Sequence, residues 1–535
     1  MRGWETGVTL RPWQKDLLAA VSGVLLVFAF APYGLWALGF LAPAALFTLW
    51  DGASPGRAAV RGLLFGLGLF GFGVSWIVHS VYVVGHEPLF LALALVGFLA
   101  LTCALFTAAV GALAGRLAPA PGFLRYALVL PAAWTLAEWI RGWILTGFPW
   151  LDLGYSAVGV PLGLGYAPVL GALGVSFVLA LTAGLVVASI RLARARERFA
   201  ALGILSAVWL LSPALGAIHW VHPAGRPIRV SLVQGDIPQR MKFRPGAWRS
   251  ILARYEAMST PLWHRGRLIV WPESAIATWY ESAESEIRPL VRVIAHHHAT
   301  LITGVFDYVF HDRAKYNAAV RLGAGPPEFY DKHHLVPYGE YFPLPRFARR
   351  WLKDFHLPHS SFTIGPKSQP PFRIDGEWAG ISICYEDAFG RVIRRALPQA
   401  TFLVNISDDA WFGHTIGPDQ QFEMARMRAL ETGRPLARVD NSAITGLISD
   451  RGRVTGRLPP FLPLVLTGRI TPETGETPYD RFGSRLIVGF AFLLLVIAGG
   501  VGLRHRDRRH GSRTGPTNAG DRSGTNGRSV PPGRP

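Results

Sequence analysis

The chain has 535 residues, half of them hydrophobic and only 17% charged, with a formal net charge of +19. Two cysteines exclude a disulfide-stapled module, and the apolar excess is unlike that of a soluble globular protein. Arginines set beside apolar segments account for the positive balance through cytoplasmic loops and anionic headgroups, so no nucleic-acid partner is expected.

Seven apolar stretches precede residue 220: Leu17–Ala31, Leu35–Trp50, Ala59–Val83, Leu89–Gly115, Leu124–Leu145, Leu162–Ile190 and Phe199–Trp220. An eighth is Leu486–Leu503. Crossing a hydrocarbon core of about 30 Å takes roughly 20 helical residues, so about eight spans are expected, the first two short enough for a tight hairpin. Basic residues fall in alternate loops. Arg2, Arg11 and Lys15 precede the first span, Arg57 and Arg61 follow the second, Arg116 and Arg125 flank the next such turn, and Arg191, Arg194, Arg196 and Arg198 separate the sixth and seventh. Pro32-Tyr33-Gly34 and Gly85-His86-Glu87-Pro88 carry none. The positive-inside rule then sets both termini in the cytoplasm and residues 221–484 outside. No cleaved signal peptide is expected, because the first apolar run lacks a small-residue cleavage site. The expected division is a transmembrane bundle over 1–220, an external domain over 221–484, a last span over 485–503 and a basic tail over 504–535. That tail is rich in Gly, Ser, Arg and Pro and is expected to be disordered. Glu138 and Arg141, at the end of the fifth span, are expected to form an interfacial pair.

The external segment has another rhythm. Short β-branched runs recur at Ile228–Val233, Leu268–Trp271, Thr300–Val305, Ala318–Leu322, Gly380–Cys384, Phe402–Ile406, Pro435–Val439 and Ile444–Ser449, with helical patterns at Ala247–Trp263, Glu284–His297 and Gln420–Thr432. Alternating strands and helices predict an α/β sandwich.

Three segments of this external part carry chemistry. Val270-Trp271-Pro272-Glu273 brings a carboxylate to a strand end, where desolvation suits it to act as a general base. Read alone, it is equally a helix-start residue. Lys332, in Tyr330-Asp331-Lys332-His333-His334, could stabilise an oxyanion and an ionised thiol, or be a solvated loop charge. Cys384 ends the run Ile381-Ser382-Ile383-Cys384; core packing is one reading, but Glu386 and Asp387 directly after it are unusual neighbours for a packing cysteine. The run His296-His297-His298 lies in a predicted helix, where consecutive side chains diverge, so no metal site is expected there. No metal or other cofactor is expected anywhere in the chain.

The order Glu, Lys, Cys, each after a strand, resembles the nitrilase superfamily over residues 226–470. Val233-Gln234-Gly235, Tyr316-Asn317 and Asn405-Ile406-Ser407-Asp408-Asp409-Ala410-Trp411-Phe412 add to it. The resemblance implies an αββα sandwich and a catalytic triad of Glu273, Lys332 and Cys384. Such a domain between a seventh and an eighth span resembles the apolipoprotein N-acyltransferase family. Gln234-Gly235-Asp236-Ile237-Pro238-Gln239 matches, although the family more often has Asn at position 236. Pro337-Tyr338-Gly339-Glu340-Tyr341, Phe30-Ala31-Pro32-Tyr33-Gly34, Glu138-Trp139-Ile140-Arg141-Gly142-Trp143 and Thr146-Gly147-Phe148-Pro149-Trp150-Leu151 match as well. Phe243 stands where the family has a tryptophan.

The resemblance implies a bacterial inner-membrane enzyme with its catalytic domain in the periplasm. It implies a phospholipid acyl donor, a Cys384 thioester and, as acceptor, the α-amine of a lipoprotein's N-terminal diacylglyceryl-cysteine. Glu273 would move protons; Lys332, with the Tyr385 backbone N–H, would face the oxyanion; Glu340 and Glu386 would position Lys332 or the amine. Trp351, Leu352, Phe355, His356, Leu357, Trp411 and Phe412 are candidates for an apolar mouth. A monomer suffices. A membrane-tethered amidase using the same triad on small amides, and a non-catalytic transporter or scaffold, are the competing readings.

Overall fold

The computed structural model describes residues 10–118, 120–264, 267–341 and 362–511, with side chains through residue 500. Helices cover all eight apolar stretches: Pro12–Val27, Leu38–Leu49, Pro55–Gly73, Leu89–Leu117, Leu130–Arg141, Pro161–Arg191, Ala195–Gly216 and Arg485–Gly511. By length and composition three of them can cross a membrane, Leu89–Leu117, Pro161–Arg191 and Ala195–Gly216. A fourth arises if Pro55–Gly73 and Trp76–Val84, bent by 48°, count as one span. Leu38–Leu49 and Arg485–Gly500 are apolar but shorter. That is fewer than the eight expected from the apolar runs, because turns and caps consume the ends of several runs. The third run, for example, is broken between Gly73 and Trp76.

Small residues bring these helices together. A Cβ at Gly62 or Gly66 would strike the backbone of Thr107 or Ala104 on Leu89–Leu117, the close approach that glycine permits in membrane-type packing. Phe90, Phe98, Phe199, Leu210 and Phe492 point outward. The expected Glu138–Arg141 pair is replaced by a shared grip on the following loop. Arg141 pairs with Asp152 at 2.6 Å and donates to the carbonyls of Phe148 and Trp150. Glu138 accepts from Trp134 Nε1 at 2.8 Å and from the Leu153 N–H at 2.9 Å.

The remainder is a two-sheet sandwich. A short pair, β1 (Val221–Pro223) and β15 (Glu473–Gly475), joins its ends. One sheet runs in the order β14 (Leu464–Ile470), β2 (Ile228–Gln234), β3 (Leu268–Val270), β5 (Thr300–Val309), β6 (Ala314–Leu322), β7 (Glu328–Asp331), with β4 (Ile276–Trp279) on β5. The other runs β13 (Val454–Arg457), β12 (Gly446–Ile448), β11 (Leu436–Asp440), β10 (Phe402–Ser407), β9 (Glu377–Ile383), β8 (Phe372–Ile374). The parallel strands β2–β3–β5 and β9–β10–β11 sit at the middle of each sheet, so their C-terminal ends gather on one edge.

Two-residue periodicity sorts the side chains. Val230, Leu232, Leu268 and Val270 face the opposing sheet and meet Ile381, Ile383, Val404 and Val439. Val233 and Ile269 face outward onto the helices Ala247–Ser259 and Tyr280–His296. Helix Gly417–Thr432 covers the outer face of the second sheet through Phe422, Ala425 and Ala429. Its other side, through Met424, Met427 and Leu430, joins the core of the helical bundle. That helix is buried nearly all round, as one lying between two hydrophobic bodies must be.

Candidate active site

Glu273, Lys332, Glu340 and Cys384 arrive from three loops at the gathered strand ends, Lys332 and Glu340 sharing the one after β7. Trp271 leaves β3 buried, its indole N–H donating to Ser259 Oγ at 2.8 Å. The chain then turns at Ser274, whose φ of 52° lies in the left-handed region. Gly304 on β5 makes room for that turn, since a Cβ there would lie 2.6 Å from Glu273 Cα. Lys332 directly follows β7 and extends its ladder, its N–H donating to the Asn317 carbonyl at 2.8 Å. Cys384 follows β9 with φ 50°, a strained corner for a side chain bearing a Cβ.

Charges converge in a tight set. Lys332 Nζ donates to Glu273 Oε1 at 3.2 Å and to Glu340 Oε1 at 2.9 Å. Asn317 Nδ2 lies 2.7 Å from the same two oxygens. The second Glu340 oxygen accepts the Val336 N–H at 2.7 Å. Glu273 and Lys332 are buried, whereas Cys384 is half-buried. Burial raises Glu273, with Lys332 opposing and Glu340 adding to the rise. Burial works against the Lys332 charge, but Glu273 and Glu340 outweigh it and hold the ammonium well above its ordinary value. Burial and the Glu273 charge raise the Cys384 thiol well above its ordinary value, and Lys332 pulls it back. The resting thiol is therefore neutral, and it ionises only if its proton has a nearby acceptor.

Glu386 sits elsewhere in this geometry. Its two oxygens accept the backbone N–H groups of His333 (2.8 Å), His334 (3.0 Å) and Ile383 (2.9 Å) and the Tyr330 hydroxyl (3.0 Å). It straps the segment after Lys332 to the strand that ends at Cys384, and thereby fixes where ammonium and sulfur stand. Tyr385 faces the helical bundle. Its hydroxyl donates to the Gly147 carbonyl at 3.3 Å, and its ring stacks on Trp150 at 6.2 Å. Phe412 packs on Trp76 at 4.3 Å, and the Ser80 hydroxyl donates to the Trp411 carbonyl at 2.8 Å. These two residues, expected at a mouth, thus seal the junction with the bundle. Trp351, Leu352, Phe355, His356 and Leu357 lie outside the described residues.

Residues 22–185 match the family model for the apolipoprotein N-acyltransferase N-terminal domain, and residues 229–479 match that for carbon-nitrogen hydrolase. The apolipoprotein N-acyltransferase of Methylococcus capsulatus is 40% identical over 519 residues, which is 97% of this chain and 99% of that protein. The chain belongs to the apolipoprotein N-acyltransferase family. The namesake of Nitrosomonas europaea is 40% identical over 493 residues, 90% of this chain and 96% of the other. A solved carbon-nitrogen hydrolase superfamily protein from Xanthomonas campestris covers 56% of this chain and 100% of its own, at 17% identity and a TM-score of 0.35. Membership makes the chain an acyltransferase and sets aside the non-catalytic scaffold.

Several residues of this acyltransferase site escaped sequence reasoning. Asn317 was visible only as part of Tyr316-Asn317, with no sign that its amide would bridge two carboxylates. Lys242 pairs with Asp408 at 2.6 Å and reaches the Glu273 carbonyl at 3.4 Å, both side chains buried. The signal available was its place directly after Gln234-Gly235 and ahead of Phe243, within a segment that leads out of a central strand.

Proposed function

We propose that the chain moves a fatty acyl group from a phospholipid to the α-amine of the N-terminal S-diacylglyceryl-cysteine of a lipoprotein, through a thioester on Cys384. The observation that carries this reading is the convergence of Glu273, Lys332 and Cys384 beside a bundle of apolar helices in a member of this family.

In the first half-reaction Glu273 takes the thiol proton while sulfur attacks the ester carbonyl. Lys332 and the backbone N–H of Tyr385 face the oxyanion of the tetrahedral intermediate. The intermediate collapses to a thioester, and Glu273 returns its proton to the departing lysophospholipid oxygen. In the second half-reaction the amine attacks the thioester and Glu273 receives the amine proton; the carbon–sulfur bond then breaks, Glu273 returns the proton to the departing Cys384 sulfur, and the N-acylated lipoprotein leaves. Glu340 holds Lys332 through the 2.9 Å contact, and Glu386 holds the loop that carries it. The upward shift of Glu273 suits both directions of transfer, because burial makes its carboxylate a stronger base than an exposed glutamate while Lys332 opposes the rise.

Both substrates carry acyl chains, and drawing each CH₂ into water costs roughly 0.8 kcal/mol. The reaction therefore belongs at a bilayer surface. We place residues 1–220 and 485–503 in the bacterial inner membrane as about eight spans, residues 221–484 in the periplasm, and both termini in the cytoplasm, with 504–535 as a basic tail. The enzyme acts as a monomer in this reading. Outward Phe90, Phe98, Phe199 and Phe492 support it, as do the three helices of spanning length.

Mass spectrometry of the full-length protein incubated with phospholipid tests the proposal. An acyl adduct on the Cys384 peptide that hydroxylamine removes is expected, and Cys384→Ala must lack it. An adduct that persists in Cys384→Ala, or none in the wild type, overturns the thioester.

A further inference from the structure

Beneath the nucleophile lies a buried ionic hub that the steps above do not use. Arg438, on β11, has Asp409 at 2.8 Å, Asp387 at 3.5 Å and Asp440 at 3.8 Å, and none of the four side chains is exposed. The three carboxyls come from three neighbouring strand ends: Asp387 from the turn after β9, Asp409 from the turn after β10, and Asp440 from the last position of β11.

Two donors join this hub to the sulfur. Strand pairing sets Ile406 opposite Ile383, so Ser407 stands beside Cys384. The Ser407 hydroxyl donates to Asp409 Oδ1 at 2.7 Å and accepts from Arg438 at 3.2 Å. Its one proton thus rests on Asp409, with the neighbouring Cys384 sulfur as the competing acceptor. Gln421 Nε2, on helix Gly417–Thr432, lies 3.9 Å from Cys384 Sγ and 3.4 Å from Asp387 Oδ1. Its amide stands between the same two kinds of partner.

We propose that Ser407 and Gln421 are two further catalytic residues that donate hydrogen bonds to the Cys384 sulfur, and that the protonation of the Arg438 hub sets how fully they do so. The inference rests on Cys384 being the nucleophile. One guanidinium cannot neutralise three ionised carboxyls in a space without water, so the hub retains protons. Burial pushes Asp387 up to about 7 and, with the Asp409 charge, Asp440 up to about 8; Arg438 opposes both. Burial also raises Asp409, again against Arg438. While the hub holds protons, Asp387 and Asp409 compete weakly for the two donors, and the sulfur has them. As the hub ionises, the carboxylates draw the donors away and add negative charge beneath the thiolate. The other charged neighbours are Glu273 and Lys332 on the far side of the sulfur, the Lys242–Asp408 pair, and the Arg428–Glu431 pair, whose arginine faces Asp387.

The test is alkylation of Cys384 by iodoacetamide in the full-length protein in detergent micelles, with Cys103→Ala as background, followed at the Cys384 peptide from pH 6 to 9. The thiolate displaces iodide, so the rate reads the ionised sulfur and needs no lipid. Ser407→Ala and Gln421→Met should each slow alkylation about tenfold at pH 7, and Ser407→Thr, which keeps the hydroxyl, about twofold at most. Asp387→Asn should speed alkylation at pH 8 and steepen its rise above pH 7, where the ionising wild-type hub holds the rate back. Gln421→Met and Asp387→Asn change shape least and decide the matter where the other variants fail to fold. Wild-type rates and profiles in Ser407→Ala and Gln421→Met, or an unaltered profile in Asp387→Asn, overturn the proposal. Loss of the lipid adduct in wild type while these alkylation differences persist would overturn the acyl-transfer reading instead.

Discussion

Asn317 holds Glu273 and Glu340 in a single grip, its Nδ2 lying 2.7 Å from Oε1 of each. Together with Lys332 it supplies the only described donors to the Glu273 carboxylate, so that buried acid depends on one ammonium and one amide. Asn317→Leu should lower acyl transfer about 100-fold, because it removes two hydrogen bonds to charged groups and leaves repelling carboxylates side by side. Asn317→Asp should do worse. The check is the single-turnover rate of thioester formation in each variant, and a wild-type rate in either would refute the role.

Glu386 gives a different expectation. Its four donors include three backbone N–H groups that no rearrangement can turn away. Glu386→Gln swaps one acceptor oxygen for an NH₂ facing donors, which should destabilise the protein by about 2–3 kcal/mol through unsatisfied groups. Thermal unfolding in micelles would show the loss, and thioester formation should fail with it.

The Tyr385 hydroxyl makes a long bond to the Gly147 carbonyl, whereas the ring fills the gap between Trp150 and Phe389. Tyr385→Phe should therefore retain most activity, within about threefold for one weak neutral hydrogen bond. Tyr385→Ala should open the junction and lower the melting temperature. Equal effects of the two variants would show that the hydroxyl, not the ring, matters.

His334 supplies a pH signature. Its ring packs 3.6 Å from that of Phe389, and burial, with nearby Arg391, lowers it from 6.5 to about 3. The unfolded chain therefore binds a proton that the folded chain refuses. The stabilisation is complete above about pH 6.5 and is lost as pH falls from there toward 3. Asp387 and Asp331, both raised to about 7, act with opposite sign: their contribution is complete below 3.8 and is lost as pH rises toward 7. Only the difference between proteins isolates the histidine. Between pH 6.5 and 4, His334→Phe should lose about 3 kcal/mol less stability than wild type. Parallel curves would rule this out.

Much of the site was legible because strand ends are legible. Cys384 and Glu273 each follow a short β-branched run that forms β9 or β3, whereas the strand before Lys332, β7, has no β-branched residue and was not among the expected runs. The helix over Gln420–Thr432 was equally readable from its pattern. What the sequence could not carry was pairing at a distance. Asn317 lies 44 positions from Glu273, and Asp387, Asp409 and Asp440 are separated by two strands and a helix before they meet at Arg438. The strand β14, which returns antiparallel beside β2, was not visible either, because its alternation is broken by Thr467 and Gly468. The expected Glu138–Arg141 contact failed for a related reason. Neighbours on one helix turn were assumed to pair, while Asp152 eleven residues on offered Arg141 a shorter contact.

The turn that begins at Cys384 rests directly on the bundle. Tyr385 lies against Gly147 and Trp150, the Tyr155 hydroxyl donates to the Ala388 carbonyl, and Gln420 accepts from Trp150. The sandwich and the helical bundle therefore share one foundation, and neither can be excised. A secreted fragment of residues 221–484 would expose Tyr385, Phe389, Phe412, Met424 and Met427 to water and release the corner that aims the thiol. Cutting this enzyme free of its bilayer would disarm it as well as dissolve it.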